Sequence, residues 1–141
     1  GSYTVTYRVK DAAGNEEVVT RTVNVVDTMP PVITLLGSDP MIVECHSTYA
    51  DPGATASDGC DGDLTSSVQV NGLVDVNTAG DYPVTYRVKD AAGNEQMATR
   101  RVQVVDTTPP VITLLGPDPM IMECHSAYVD PGATASDGFR Q

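Results

Sequence analysis

The clearest pattern of apolar and polar positions runs from Tyr82 to Val105. Tyr82, Val84, Tyr86 and Val88 alternate with Pro83, Thr85, Arg87 and Lys89, which puts large apolar groups on one face of a strand and solvated groups on the other. Asp90-Ala91-Ala92-Gly93-Asn94 then supplies a tight turn: Gly93 and Asn94 tolerate positive φ, and the Asp90 carboxylate can accept from nearby backbone N–H groups. The return strand carries Val102, Val104 and Val105. Between Gln96 and Arg101 the alternation is poor, which predicts a bulge. Nearly the same hairpin stands at Tyr3 to Val26.

Sliding the chain on itself gives one register, an offset of 79 residues that carries Tyr3 onto Tyr82 and Gly59 onto Gly138. A period of this size is too long for a solenoid unit and suits one small β-sandwich per repeat. The boundaries fall at Val-Val-Asp-Thr-x-Pro-Pro, near Asp27–Pro31 and Asp106–Pro110, where paired prolines fix φ and remove two donors, as in a stiff extended linker. Residues 28–106 then form one complete unit. Residues 1–27 supply the last two strands of a preceding unit, and residues 107–141 the first strands of a following one.

Inside the complete unit, Val32–Leu36, Met41–Val43 and Tyr49–Ala56 read as short strands separated by turn residues. Leu64–Val70 and Leu73–Val76 read as two more, joined through Asn71-Gly72, a strong hairpin signal. With the long hairpin this makes roughly seven strands, the count of an immunoglobulin-like sandwich. The fold class expected is all-β, immunoglobulin-like β-sandwich repeats in tandem.

The motifs Thr-x-Pro-Pro-Val-Ile-Thr-Leu-Leu-Gly, Tyr-x-Asp-Pro-Gly-Ala-Thr-Ala-x-Asp, Asp61-Gly62-Asp63-Leu64-Thr65 and Gly80-Asp81-Tyr82-Pro83-Val84-Thr85-Tyr86-Arg87-Val88 resemble the bacterial Ig-like repeat family first named after a pesticidal crystal protein. They are similar, more distantly, to hyaline repeats. The resemblance covers the complete unit and both partial ones. It implies an Ig-like sandwich repeated along large secreted or cell-surface proteins in adhesive, spacer or substrate-binding roles, with no catalytic residues. The departure is Phe139-Arg140-Gln141, where the repeat pattern calls for Cys at position 139, the counterpart of Cys60.

Charge narrows the partners. A formal net charge of −11 and a pI near 4.2, with few and scattered Lys and Arg, argue against nucleic acid or an anionic membrane surface, either of which needs a basic patch. No apolar run approaches the roughly 18 residues of a membrane span.

Three groups of residues invite chemistry. Cys45 and Cys60 lie in the same unit, about 15 residues apart, and a disulfide between them would contribute on the order of 3 kcal/mol in the chain-entropy model. Such a staple suits an oxidising compartment and a thin core with no Trp and one Phe. Cys124 matches Cys45 but lacks a counterpart partner, so it is expected to be unpaired or to link chains. Glu44-Cys45-His46, echoed at Glu123-Cys124-His125, looks like a metal or thiol cluster, yet neighbours on a strand point to opposite faces, and no second pair with zinc spacing exists. The acidic residues Asp51, Asp58, Asp61 and Asp63, with Asp27 and Asp106 at the unit boundaries, supply the hard oxygens that calcium takes; Asp-Gly pairs are also ordinary turn residues. No phosphate loop, nucleophile elbow or paired-carboxylate frame is present, so the chain reads as no enzyme and needs no cofactor, with calcium as the one candidate ion.

The leading expectation is therefore a structural or adhesive segment of an extracellular or cell-surface protein, a stalk, adhesin arm or filament subunit. The alternative is a module whose loops hold a glycan or protein ligand. The two partial units complement each other. Tyr3, Val5, Tyr7 and Val9 of one chain against Val111, Ile112, Leu114 and Leu115 of another would rebuild most of a sandwich. Copies of the chain, head to tail, and neighbouring repeats of a longer chain are thus the two expected partners. The head-to-tail contact is heterologous and leads to an open filament.

Overall fold

The computed structural model describes residues 1–138; Phe139, Arg140 and Gln141, where the sequence leaves the repeat, lie outside the described residues. In chain order the strands are β1 (Ser2–Lys10), β2 (Glu16–Asn24), β3 (Val32–Leu35), β4 (Met41–Glu44), β5 (Ala54–Asp58), β6 (Gly62–Asp63), β7 (Gln69–Asn71), β8 (Gly80–Lys89), β9 (Glu95–Val105), β10 (Val111–Leu114) and β11 (Ala133–Ser136). Strands β3 to β9 build a sandwich of two sheets, ordered β3-β5-β6 and β4-β9-β8-β7. All pairings are antiparallel except β4 with β9, which is parallel. The core lies between the sheets: Val43, Val84, Tyr86, Val102 and Val104 are buried, with Ile33, Leu35 and Tyr49 packed partly against them.

Outside the sandwich, the same local pairings recur at the repeat offset. Tyr3 pairs with Val23 as Tyr82 pairs with Val102, and Ile112 with Ala135 as Ile33 with Ala56. Hairpin β1–β2 and the pair β10–β11 each stand as a separate two-stranded sheet, with their apolar residues largely exposed.

Two sequence expectations are corrected. The bulge in the return strand is absent: β8 and β9 pair without a break from Gly80 opposite Val104 to Lys89 opposite Glu95. Counting back from Val104 and Val102, the next inward position is Arg100, so the alternation is regular and one inward residue is charged. The hairpin at Asn71-Gly72 is also absent. The stretch from Leu64 forms a short 3-10 turn at Thr65–Ser67 followed by β7, and β7 pairs with β8, Gln69 opposite Arg87. Gly72 has φ of 136° and lies so close to β8 that a Cβ would stand 2.5 Å from the Pro83 carbonyl oxygen. The requirement at position 72 is this close approach. Val74 and Val76 pack on the core from a loop.

Candidate functional site

The organised polar groups are one buried network and the two ends of the sandwich. In the network, Arg100 is fully buried and its guanidinium donates to the carbonyls of Leu36, Ser38 and Gly53, the last at 3.1 Å. Its Nε donates to the Tyr86 hydroxyl at 3.2 Å, and Tyr86 in turn donates to Asp51 Oδ1. The guanidinium carbon lies 5.7 Å from the Tyr86 ring centroid. Gly37, at φ of 74° with Pro52 filling the space a Cβ would take, turns the chain so that the Leu36 and Ser38 carbonyls both face Arg100. Burial raises the Tyr86 pKa, and its bond to the Asp51 carboxylate raises it further. Asp51, expected as a calcium ligand, belongs to this network instead.

The front end of the sandwich carries the β8–β9 turn. Asp90 is buried; its Oδ1 accepts from the Asn94 backbone N–H and its Oδ2 from Asn94 Nδ2, both at 2.7 Å. Asn94 Nδ2 also donates to the Asp27 carbonyl at 3.3 Å, which ties the turn to the incoming linker. Asp61 Oδ2 accepts from the Ala91 N–H at 2.7 Å. Carboxylate oxygens of Asp27, Asp61 and Asp90 consequently lie within 4.8 Å of one another, as do oxygens of Asp27 and Asp58 with the Cys60 sulfur. Burial pushes the Asp90 pKa up, but the hydrogen bonds from Asn94, Gly93 and Ala92 outweigh it, and the net shift is downward. Of the other acidic candidates, Asp63 instead accepts from the Thr65 N–H at 2.9 Å, holding the 3-10 turn. Asp106 lies at the opposite end and accepts from Thr108 N at 3.2 Å. Sequence reading assigned Asp90 to the turn and missed that the turn carries it to Asp27 and Asp61.

At the back end, Glu44 holds the outgoing linker. Its Oε1 accepts from the Thr107 N–H at 2.8 Å and from Thr108 Oγ1 at 3.2 Å, and its Oε2 accepts from Thr107 Oγ1 at 2.8 Å. The Thr107 bonds, backbone first, lower the Glu44 pKa. Cys45 and His46 sit in the turn after β4, not on a strand as the sequence suggested: Cys45 N donates to the Val105 carbonyl and His46 N to the Val76 carbonyl, both at 2.8 Å, with His46 at φ of 61°. His46 Nδ1 is 2.9 Å from Asn77 Oδ1.

The expected Cys45–Cys60 disulfide is absent, and Cys45, Cys60 and Cys124 are all free thiols. The reason is geometric. Cys45 bonds to the last residue of β9, whereas Cys60 adjoins Asp61 at the turn that precedes β9. Eleven residues of extended chain separate those ends, on the order of 30 Å at the rise of a β-strand, against the 7 Å or so that a disulfide tolerates between Cα atoms.

The residues expected to drive assembly divide unevenly. Tyr3, Val5, Tyr7 and Val9 match Tyr82, Val84, Tyr86 and Val88, all inward in the sandwich; Tyr7 is 47% exposed where Tyr86 is 0%. On the tail, Ile112 and Leu114 match the core-contacting Ile33 and Leu35. Val111 and Leu115 match Val32 and Leu36, which stay exposed even inside the sandwich, so burial there is not part of the fold. In the sandwich itself Tyr49, Tyr82 and Tyr86 are buried or half-buried against the core, which leaves no aromatic platform for a sugar ring on its described surface.

No helix among the described residues is long and apolar enough to cross a membrane. Over 125 residues the chain is 39% identical to hyalin from Lytechinus variegatus, a match covering 81% of this chain and 23% of that protein. Hyalin from Strongylocentrotus purpuratus is 40% identical over 123 residues, covering 79% and 10%. The chain thus spans a quarter or less of the length of these relatives. Among solved structures, a lipoprotein from Bacteroides thetaiotaomicron matches with a TM-score of 0.50 and 33% identity over 56% of this chain and 39% of that one. Residues 33–104, the span from β3 through β9, match the model of the family described as bacterial surface protein, Ig-like domain. Two packed β-sheets and that match together place the chain in the bacterial surface protein Ig-like domain family.

Proposed function

We propose that the chain is a structural segment of an extracellular surface protein, in which successive Ig-like units are joined at held junctions into a rod. The observation that carries this reading is the Glu44 carboxylate, which takes three hydrogen bonds from Thr107 and Thr108 immediately before Pro109-Pro110. A linker held by its neighbour and stiffened by two prolines transmits orientation from one unit to the next. A flexible linker would leave Thr107 to water. At the front end Asn94 holds the carbonyl of Asp27 in the same way, and the carboxylates of Asp27, Asp61 and Asp90 form an oxygen donor set suited to calcium, which would lock that end further.

The faces left open on β1–β2 and β10–β11 are those the sandwich buries. Each is completed by the rest of its own unit or by the complementary half in a second copy. In the second case Arg21 would take the carbonyls of Leu115, Pro117 and Gly132 as Arg100 takes those of Leu36, Ser38 and Gly53. The test of the held junction is amide hydrogen exchange at Thr107 in the chain and in Glu44→Ala. Protection in the first and its loss in the second are expected, while equal, fast exchange in both would overturn the reading.

A further inference from the structure

We propose that residues 120–123 are a conditional strand, formed when they lie in parallel along the open edge of β2 in a second copy of this chain. This rests on the reading that the open faces of β1–β2 and β10–β11 complete one another between copies. The chain carries its own control. Residues 41–44 read Met-Ile-Val-Glu, residues 120–123 read Met-Ile-Met-Glu, and each stretch follows an Asp-Pro pair. The first is β4, and the second forms no strand. A single exchange of Val for Met shifts strand preference by a fraction of the ~1 kcal/mol that the whole scale spans, so composition does not separate them. The neighbour does: β4 pairs with β9, from Met41 opposite Val102 to Glu44 opposite Val105, whereas no counterpart of β9 pairs with residues 120–123 among the described residues.

Strand β2 shows the same loss from the other side. β9 spans Glu95–Val105, but β2 spans only Glu16–Asn24, although the repeat carries Val25 and Val26 onto Val104 and Val105. Those two residues of β9 are the ones that Val43 and Glu44 of β4 pair with, and the ladder from β8 stops at Val104. Val25 is 60% exposed where Val104 is 2%. Two segments of one chain thus lack strand structure at the registers where each would meet the other. Laid on β2 in the register of β4, Met120 stands opposite Val23 and Glu123 opposite Val26.

An added strand satisfies the backbone groups of an open edge, and the side chains give the contact direction. Glu44 accepts from the Thr107 N–H and Oγ1; the counterparts are Glu123 of one copy and Thr28 of the other. The third bond, from Thr108, has no counterpart because position 29 is Met. Charge is complementary as well. Arg100 Nε lies 3.9 Å from Asp51 Oδ1, and the matching pair joins Arg21 of one copy to Asp130 of the other.

Cys45 N donates to the Val105 carbonyl at 2.8 Å, and donors along one edge of a strand recur every second residue. Val43 is therefore a donor of the same edge, and Met122 is its counterpart. Met122→Pro removes that donor at a position outside the sandwich. Sedimentation of the parent should show association that rises with concentration, weakened about tenfold by Met122→Pro and roughly fivefold by Glu123→Ala. Hydrogen-exchange mass spectrometry of residues 120–124 should show fast exchange in the dilute chain and about tenfold slower exchange once copies associate. Association in which this segment still exchanges fast, or which Met122→Pro leaves unchanged, overturns the strand and leaves self-completion standing. No association at any concentration overturns self-completion and the strand with it.

Discussion

Arg100→Met keeps most of the aliphatic stem of the side chain and removes the guanidinium, which isolates what the buried network contributes. The carbonyls of Leu36 and Ser38 and the Tyr86 hydroxyl lose their donor together, while the Gly53 carbonyl loses one of two and keeps the Leu36 N–H at 3.0 Å, and a buried acceptor stranded in this way costs about 1–3 kcal/mol. Partial relaxation and water entry at the loop edge keep the sum below the simple total. A loss of roughly 3–5 kcal/mol matches what breaking a buried ionic network costs. A domain of this size has only about 5–15 kcal/mol in total, so the variant should sit near the edge of stability, with a melting point lower by roughly 15–30 °C. The chain has no Trp, so urea titration is followed by far-UV circular dichroism and by the fluorescence of its tyrosines. The midpoint should fall with the slope unchanged. Arg100→Lys should recover less than half of the loss, because a compact ammonium cannot reach three carbonyls as the planar fork does. If Arg100→Met stays within about 1 kcal/mol of the parent, the network is ornamental and the reasoning fails.

Tyr49 carries a buried hydroxyl with no hydrogen-bond partner among the described residues, so Tyr49→Phe should raise stability by about 1 kcal/mol, whereas Tyr86→Phe, which removes the hydroxyl bridging Arg100 and Asp51 and leaves only their direct ion pair at 3.9 Å, should lower it by about 1–3 kcal/mol; chemical denaturation of both variants checks the contrast. Asp90 and Glu44 have folded-state pKa values below their ordinary ones, so the stability they contribute is present at neutral pH, begins to fall below the unfolded carboxylate range near pH 4 and is lost as pH drops through the folded values. Asp90→Asn should flatten that acid limb in a pH series of melts, and an unchanged limb would count against the assignment. Calorimetry with calcium should show one uptake event that Asp90→Asn and Asp61→Asn each abolish, and no heat at millimolar calcium would end the metal reading.

The strand content was legible because alternation at Tyr82–Val88 and the repeat at Tyr3 give the same answer twice. The register of the return strand was misread for one reason: a charge occupies an inward position. Counting by twos back from Val104 reaches Arg100 and, in the first copy, reaches Arg21 from Val25. A cation at a core-facing position in both copies is a signal available without coordinates, and it predicts a set of acceptors nearby. The hairpin at Asn71-Gly72 was misread because the same glycine that permits a turn also permits close approach of two backbones, and local sequence does not tell these apart. The cysteine pairing was misjudged on sequence separation. Fifteen residues of loop would close readily, but β4 and the β5–β6 turn run to opposite ends of the sandwich. The acidic cluster was half legible: Asp27 meets Asp58 beside Cys60 and, separately, Asp61 beside Asp90, which arrives from a distant turn, while Asp63 and Asp51 have nearer duties.

The two hairpins make one sequence pattern visible in two environments, and the comparison yields the last prediction. Arg21 lies 5.7 Å over the Tyr7 ring as Arg100 lies 5.7 Å over Tyr86, and Arg8 and Lys10 pair with Glu16 as Arg87 and Lys89 pair with Glu95. Register, stacking and surface ion pairs are therefore properties of the hairpin alone. What the sandwich adds is the destination of the guanidinium donors. Arg21 is exposed, and replacing it by Met in a monomeric chain should shift stability by no more than about 0.5 kcal/mol, against several for the same substitution at Arg100. Self-completion between copies would change this, since Arg21 would then sit among the carbonyls of Leu115, Pro117 and Gly132 beside Asp130 of another chain. Sedimentation of the parent, of Arg21→Met and of a chain lacking residues 1–26 decides the matter. Concentration-dependent association that both changes weaken is the expected result. Equal association in all three would show that the open faces of β1–β2 and β10–β11 do not complete one another.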